Sequence, residues 1–338
     1  MKARLFILLL LLPSVNCLFA GMSGGDSDSE GEMMMALGYL QLTAPPPPGP
    51  LVAGDDGSIQ SSNLNGPLIL QWEPASGGQS GIHEYRVYVD SSGPMDDPES
   101  VQSSSQADSQ WFSYSGSYTM TQLEPNQQYY LNVLVKDGSE VSTYTTITFT
   151  TGNPYSTGTG LVLYDDGSQI LAYSACSAGQ TFDEGTQSCT GTASSFQFCD
   201  ASTNDCNGGS SSGNLVDSGS WTSGATSSAW QACEDLNVAS FQDITTWRLP
   251  TLQQLRDIRY CSSNPAYTGP DACPPGSGHP TIRLDIFPDT PESQYWSSQG
   301  VSGNSFSGWT LNLTDGSAQA QDKTGLHRVR CISDFPGF

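Results

Sequence analysis

Apolar and polar residues alternate in several short runs between residues 51 and 151. Leu68, Leu70 and Trp72 form one run, Tyr85, Val87 and Val89 a second, and Leu131, Val133 and Val135 a third. A period of two places each set on one face of a strand. Tyr144 to Thr150 adds a β-branched and aromatic stretch, and Gly, Pro, Asp and Ser gather between the runs, as from Ser91 to Pro98. Short strands at this spacing predict an antiparallel β-sandwich. Beyond residue 153 the pattern changes. Trp230, Cys233 and Leu236 recur at intervals of three, and Ser227 or Ser228 caps the helix they predict. Thr251-Leu-Gln-Gln254 is a capping box, in which the Thr hydroxyl and the Gln amide satisfy free N–H groups at a helix start; Leu252, Leu255 and Ile258 supply the apolar face. Short strands are predicted around Tyr295–Ser298, Trp309–Leu313 and Arg328–Ile332, with Asp315-Gly316 as a turn between the last two.

The start of the chain reads as an export signal over residues 1–17. Lys2 and Arg4 precede an unbroken apolar run, Leu5 to Leu12. That run is too short to span a bilayer, which needs about 20 residues, and suits a signal-peptide core. Cys17 lies just past that run, after Pro13-Ser-Val-Asn16, at the position that bacterial lipoproteins modify with lipid. Ser14 and Asn16 make this a relaxed form of the lipidation motif, and cleavage after Ala20 is the alternative. Residues 18–50 predict an acidic tether ending in a stiff spacer, Pro45 to Pro48. Asp26, Asp28 and Glu30 imitate the opening of a calcium loop, but its twelfth position is Leu37, so the loop is incomplete. The chain has 11 Lys and Arg against 34 Asp and Glu, a net charge of −23. A field of that sign repels phosphate polymers and disfavours nucleic acid as a partner.

Of nine cysteines, eight lie in the second half: Cys176, Cys189, Cys199, Cys206, Cys233, Cys261, Cys273 and Cys331. An even set in an exported, loop-rich segment predicts disulfides. Loop closure favours Cys176–Cys189, Cys199–Cys206 and Cys261–Cys273 as local pairs, although eight cysteines allow 105 connectivities. A metal site is not expected. There is no Cys-x-x-Cys pair, and His83, His279 and His327 are scattered.

Two resemblances follow from particular residues. Leu123-Glu-Pro125-Asn-Gln-Gln-Tyr129 resembles the tyrosine corner of fibronectin type III domains, where a Tyr hydroxyl bonds to nearby backbone at a crossover between sheets. Trp72 stands at the core-tryptophan position of that family, and Tyr85-Arg-Val87-Tyr88 resembles its third strand. Glu124-Pro125-Asn126 also spells a sugar-binding tripeptide of C-type lectins, but here it belongs to the corner. The second half is similar to the Lcl-type C-terminal domain of bacterial collagen-like adhesins. The likeness is carried by Ala229-Trp-Gln-Ala-Cys233, Trp247-Arg-Leu-Pro-Thr251, Phe287-Pro-Asp-Thr-Pro291, Tyr295-Trp-Ser-Ser298, Trp309 to Gly316 and Val329-Arg-Cys-Ile332. It implies a C-type-lectin-like or formylglycine-generating-enzyme-like fold, and with it a bond between a first-helix cysteine and one on the last strand, Cys233–Cys331. The expected architecture is mainly β with some α: a fibronectin type III sandwich over 51–151, then a disulfide-rich α+β domain over 153–335.

These readings converge on a lipid-anchored, surface-displayed protein of the bacterial envelope, at the outer membrane, that binds a glycan or a host or matrix protein through its second half, with the fibronectin-type domain as a spacer. The lipid is its expected membrane contact, and no cofactor is expected. Envelope scaffolding on the periplasmic side is the alternative. A formylglycine-generating-type enzyme is a further one, suggested by Arg248-Leu-Pro-Thr251, but it needs reactive thiols. The named adhesins are associated with sulfated glycans, whereas this chain is acidic and lacks their Gly-x-y stalk. Seven bases fall in the second half, Arg248, Arg256, Arg259, Arg283, Lys323, Arg328 and Arg330, which leaves room for a local basic patch. Arg248 and Arg330 are expected to be structural. Trp221, Trp296 and Trp309 are candidate sugar platforms, with core packing the more usual role of Trp.

Overall fold

The computed structural model describes residues 60–61, 64–94, 98–103, 109–114, 117–144 and 146–338. The expected signal segment, Cys17, the calcium-like run and the tether lie outside the described residues. Eight strands build the first half: β1 (Gln60–Ser61), β2 (Leu68–Gln71), β3 (Glu84–Asp90), β4 (Phe112–Ser113), β5 (Tyr118–Met120), β6 (Gln128–Asp137), β7 (Glu140–Thr143) and β8 (Ile147–Thr150). They form an antiparallel sandwich of β1-β2-β5 against β4-β3-β6-β7, with β8 also paired to β6. The alternation delivers what it predicts. Leu68, Leu70, Tyr85, Val87, Leu131, Val133 and Val135 all point into one core, and Trp72 sits among the rings of Tyr85, Phe112, Tyr114 and Tyr144. The hydroxyl of Tyr129 accepts the N–H of Glu124 at 2.9 Å, which forms the expected corner.

One face of the larger sheet departs from simple alternation. Tyr88 and Leu134 lie on the far side of β3 and β6 yet are fully buried. A short helix, α1 (Pro98–Ser103), follows the stretch read as a turn and packs Val101 over them.

The second half contains β9 (Tyr155–Ser156), β10 (Leu161–Asp165), β11 (Ile170–Ser174), β12 (Thr181–Asp183), β13 (Ser188–Thr190), α2 (Ser228–Val238), α3 (Leu252–Asp257), β14 (Gln294–Val301), β15 (Asn304–Asn312), β16 (Ala318–Asp322) and β17 (Ile332–Asp334). The sheets are β17-β11-β10-β9, β12-β13 and β14-β15-β16. Alternation cannot reveal β10 and β11, because both faces of their sheet are covered. Leu161, Leu163 and Ala172 enter one core, while Val162, Leu171 and Tyr173 enter another. A doubly covered strand reads as a continuous apolar run. Both helices begin as expected: Ser227 Oγ accepts Trp230 N–H at 3.0 Å, and Thr251 and Gln254 form the full capping box. The last hairpin differs from the expectation. Asp315-Gly316 turns β15 into β16, whose sequence Ala-Gln-Ala-Gln-Asp carries no strand signal. The last strand starts only at Ile332 rather than at Arg328.

The expected boundary near residue 152 is a seam. The Tyr155 ring, fully buried, belongs to the sandwich core, while its backbone pairs with Leu163 on β10. The Asn153 amide both donates to the Asp165 carbonyl (2.7 Å) and accepts the Asp165 N–H (3.0 Å), so the side chain imitates a strand neighbour. Asn126, from the corner, reaches the same residue's carboxylate at 3.2 Å.

Candidate ligand-binding cleft

The eight described cysteines form four disulfides: Cys176–Cys189, Cys199–Cys206, Cys233–Cys331 and Cys261–Cys273. These are the expected pairs. Cys199, Asp200 and Cys206 cluster closely enough to suggest a metal centre. Their two sulfurs are bonded to each other, however, so neither offers a thiolate.

The bases of this half are engaged within the chain, although three of them, Arg256, Arg259 and Arg283, line one small hollow together. Arg330 is buried, donates to the carbonyls of Ser174 and Ala175 and to Thr290 Oγ1, and lies 4.7 Å over the Phe287 ring. Burial pulls its pKa down to about 10. Lys323 is equally buried, and its ammonium donates to Thr203 O at 2.7 Å and to Asn204 and Asn207 Oδ1 at 3.0 Å each. Burial brings it down to about 8. Arg259 ties together the carbonyls of Gly269, Asp271 and Gly316. Arg256 and Arg328 also donate to carbonyls, those of Pro270 and Ala193. Arg248 and Arg283 pair with Asp334 and Asp285. All seven bases are therefore engaged within the chain, and the structural role expected for Arg248 and Arg330 is the one their bonds describe. Backbone carbonyls without a strand partner need donors, and these bases supply them; the grouping of bases that the sequence left open is limited to Arg256, Arg259 and Arg283 at one hollow, beside Asp257. Of the candidate platforms, Trp296 is fully buried, with its Nε1–H donating to Phe196 O; Trp221 and Trp309 are half-buried.

A hollow with apolar walls lies elsewhere, beside the C-terminal end of α2. It measures about 570 Å³, within the range of small-ligand sites, about 300–1,000 Å³. One wall is the 176–184 segment with β12; another is α2 with the turn that follows it. Phe182, Phe196, Leu236 and Phe241 give the apolar surface, Ser177, Gln180 and Gln242 the neutral polar groups, and Glu184 and Asp235 the charge. Gly160 stands between two of the rings: a Cβ there would meet Phe241 at 3.2 Å and Phe182 at 3.3 Å, and its φ is +96°. Ser240, Gln242 and Asp243 all adopt left-handed backbone without being glycine, each at a cost of about 1–2 kcal/mol. Neighbours hold them there. Gln242 Nε2 donates to Thr159 O at 2.6 Å, and Phe241 packs 5.7 Å from Trp247. Such strain gathers where a surface must be shaped.

A smaller hollow of about 300 Å³ lies near the seam, with Tyr164, Tyr267, Arg256, Arg259, Arg283 and Asp257 in its lining. Burial raises the pKa of Asp257 from its ordinary value.

Residues 169–333 match the family model of the Lcl C-terminal domain. The matched region contains all four disulfides and most of the larger cleft, and it begins inside the expected 153–335 boundaries. No curated protein sequence matches the chain. Among solved structures, the chain is similar to a human fibronectin type III domain determined in solution. The two are 21% identical over 38% of this chain and 87% of that one, with a TM-score of 0.18. The character of the sandwich therefore rests on its own strand order and its tyrosine corner. None of the cleft residues outside the cysteines stands out in the sequence. The one local sign is that α2 ends at Ala239-Ser240 with no glycine to take the left-handed turn.

Proposed function

We propose that the chain is an exported lipoprotein of the bacterial envelope, lipidated at Cys17, whose Lcl-matched half binds a ligand without transforming it. The observation that carries this reading is the larger cleft: aromatic walls, a few converging polar groups, and two lining cysteines, Cys176 and Cys331, that are locked in disulfides. Such an arrangement suits recognition. A formylglycine-generating-type reaction would need an accessible thiolate, and every described cysteine is bonded to another. The resemblance to collagen-like adhesins favours a glycan or a host or matrix protein as the ligand, with the sandwich as the spacer that carries the cleft outward. The proposed anchor is the lipid at Cys17; among the described residues no helix is long and apolar enough to cross a membrane.

Protease accessibility on intact cells tests the display. Digestion of both halves while a periplasmic control survives is the expected result. Protection until the outer membrane is opened would overturn surface display and favour envelope scaffolding on the periplasmic side.

A further inference from the structure

We infer that the larger cleft receives a cationic side chain with an apolar stem, an arginine or lysine presented by a protein partner. This rests on the reading of the chain as a binding protein and names the partner's chemistry. Among the described residues, the only charged ones lining the cleft are Glu184 and Asp235, both acids and both at least partly exposed. No described base lines it, and none of this half is free to approach: all seven are committed to carbonyls or carboxylates, three of them buried. Residues 153–338 hold 18 acids against seven bases, a net charge of −11. A sulfate, phosphate or carboxylate entering the cleft would face two like charges with no donor cation to offset its desolvation.

A guanidinium or ammonium meets the opposite situation. The carboxylates accept charge-assisted hydrogen bonds. Phe182, Phe196 and Phe241 offer ring faces and edges to a cation and to the methylenes behind it. The volume of about 570 Å³ leaves room for a neighbouring apolar side chain against Leu236. A neutral sugar can stack on the same rings, but its binding would draw little from the two charges.

The test titrates the full chain with three blocked tripeptides: leucine–arginine–leucine, the same peptide with neutral citrulline for arginine, and the same with glutamate. The arginine peptide is expected to bind about ten-fold more tightly than the citrulline peptide, a difference of about 1.4 kcal/mol, with the glutamate peptide weakest. In the Glu184→Gln/Asp235→Asn double variant, arginine binding should fall to the citrulline level while citrulline binding is unchanged. Equal binding of arginine and citrulline peptides, or wild-type arginine binding by the double variant, would overturn the inference. So would tight binding of a sulfated or neutral oligosaccharide at this cleft with no response to the arginine peptide; that outcome leaves the broader reading of a binding protein intact. Protection of the chain in intact cells would overturn surface display while leaving the peptide result standing.

Discussion

Around Trp72 the chain is held together by rings; around Arg330 it is held together by donors aimed at carbonyls. The sandwich closes on Tyr85, Phe112, Tyr114 and Tyr144, with β3 and β6 laddered along the whole of β3. The Lcl-matched half has strands of similar length but long loops between them, so many loop carbonyls lack a ladder partner. Arg259, Arg330 and Lys323 supply the missing donors from inside, and four disulfides fix the loops around them. A basic residue in such a half is first a structural donor. What reaches its surface is what the interior did not consume, and that remainder is acidic.

The largest effect expected follows from removing the long tie. Replacing Cys233 and Cys331 with Ala frees a 98-residue separation, and the chain-entropy model gives a loss of about 4–5 kcal/mol. Hydrogen exchange resolved by region should show loss of protection in residues 169–333, with the sandwich retained. Equal loss in both halves would break the contrast between them. Tyr155→Ala should follow, at about 3–5 kcal/mol for a large buried ring. It removes a side chain from one half while the backbone it hangs from belongs to the other. Thermal unfolding of the native chain should be one transition, and that of the variant two.

Lys323 sharpens the comparison through pH. Its pKa is about 8 in the folded chain, against 10.5 for an ordinary lysine. Between those values the unfolded chain holds more protons, so this group makes stability rise with pH across that window. Lys323→Met should flatten the rise in denaturation midpoints measured from pH 8 upward; an unchanged slope would show the group does not titrate there. Tyr129→Phe is the smallest change. Loss of its single bond to the Glu124 N–H should lower stability by about 1 kcal/mol, read by urea unfolding.

Legibility in the sequence tracked how each part is held. Leu68, Val87 and Val133 keep a period of two because one face of each sheet meets the main core and the far face of the larger sheet is covered only locally, by α1 over Tyr88 and Leu134, so the sandwich and its corner were readable. So were the caps at Ser227 and Thr251, which are local chemistry. Strands β10 and β11 were hidden because both faces are covered, and β16 because Ala-Gln-Ala-Gln-Asp carries no large apolar residue. The cleft was hidden for a different reason. Phe182, Phe196, Asp235 and Phe241 come from four separate stretches and meet only after the Cys176–Cys189 and Cys233–Cys331 bonds and the left-handed turn at Ser240 have placed them.

Tyr155 has a consequence for orientation. Because its ring is locked into the sandwich while its backbone runs as a strand of the next sheet, a twist applied to one half has no slack in which to dissipate before the other must turn. The two halves should tumble as one body, with a single rotational correlation time. The mouth of the cleft then keeps a fixed bearing relative to the sandwich, so that whatever sets the attitude of the first half also aims the second.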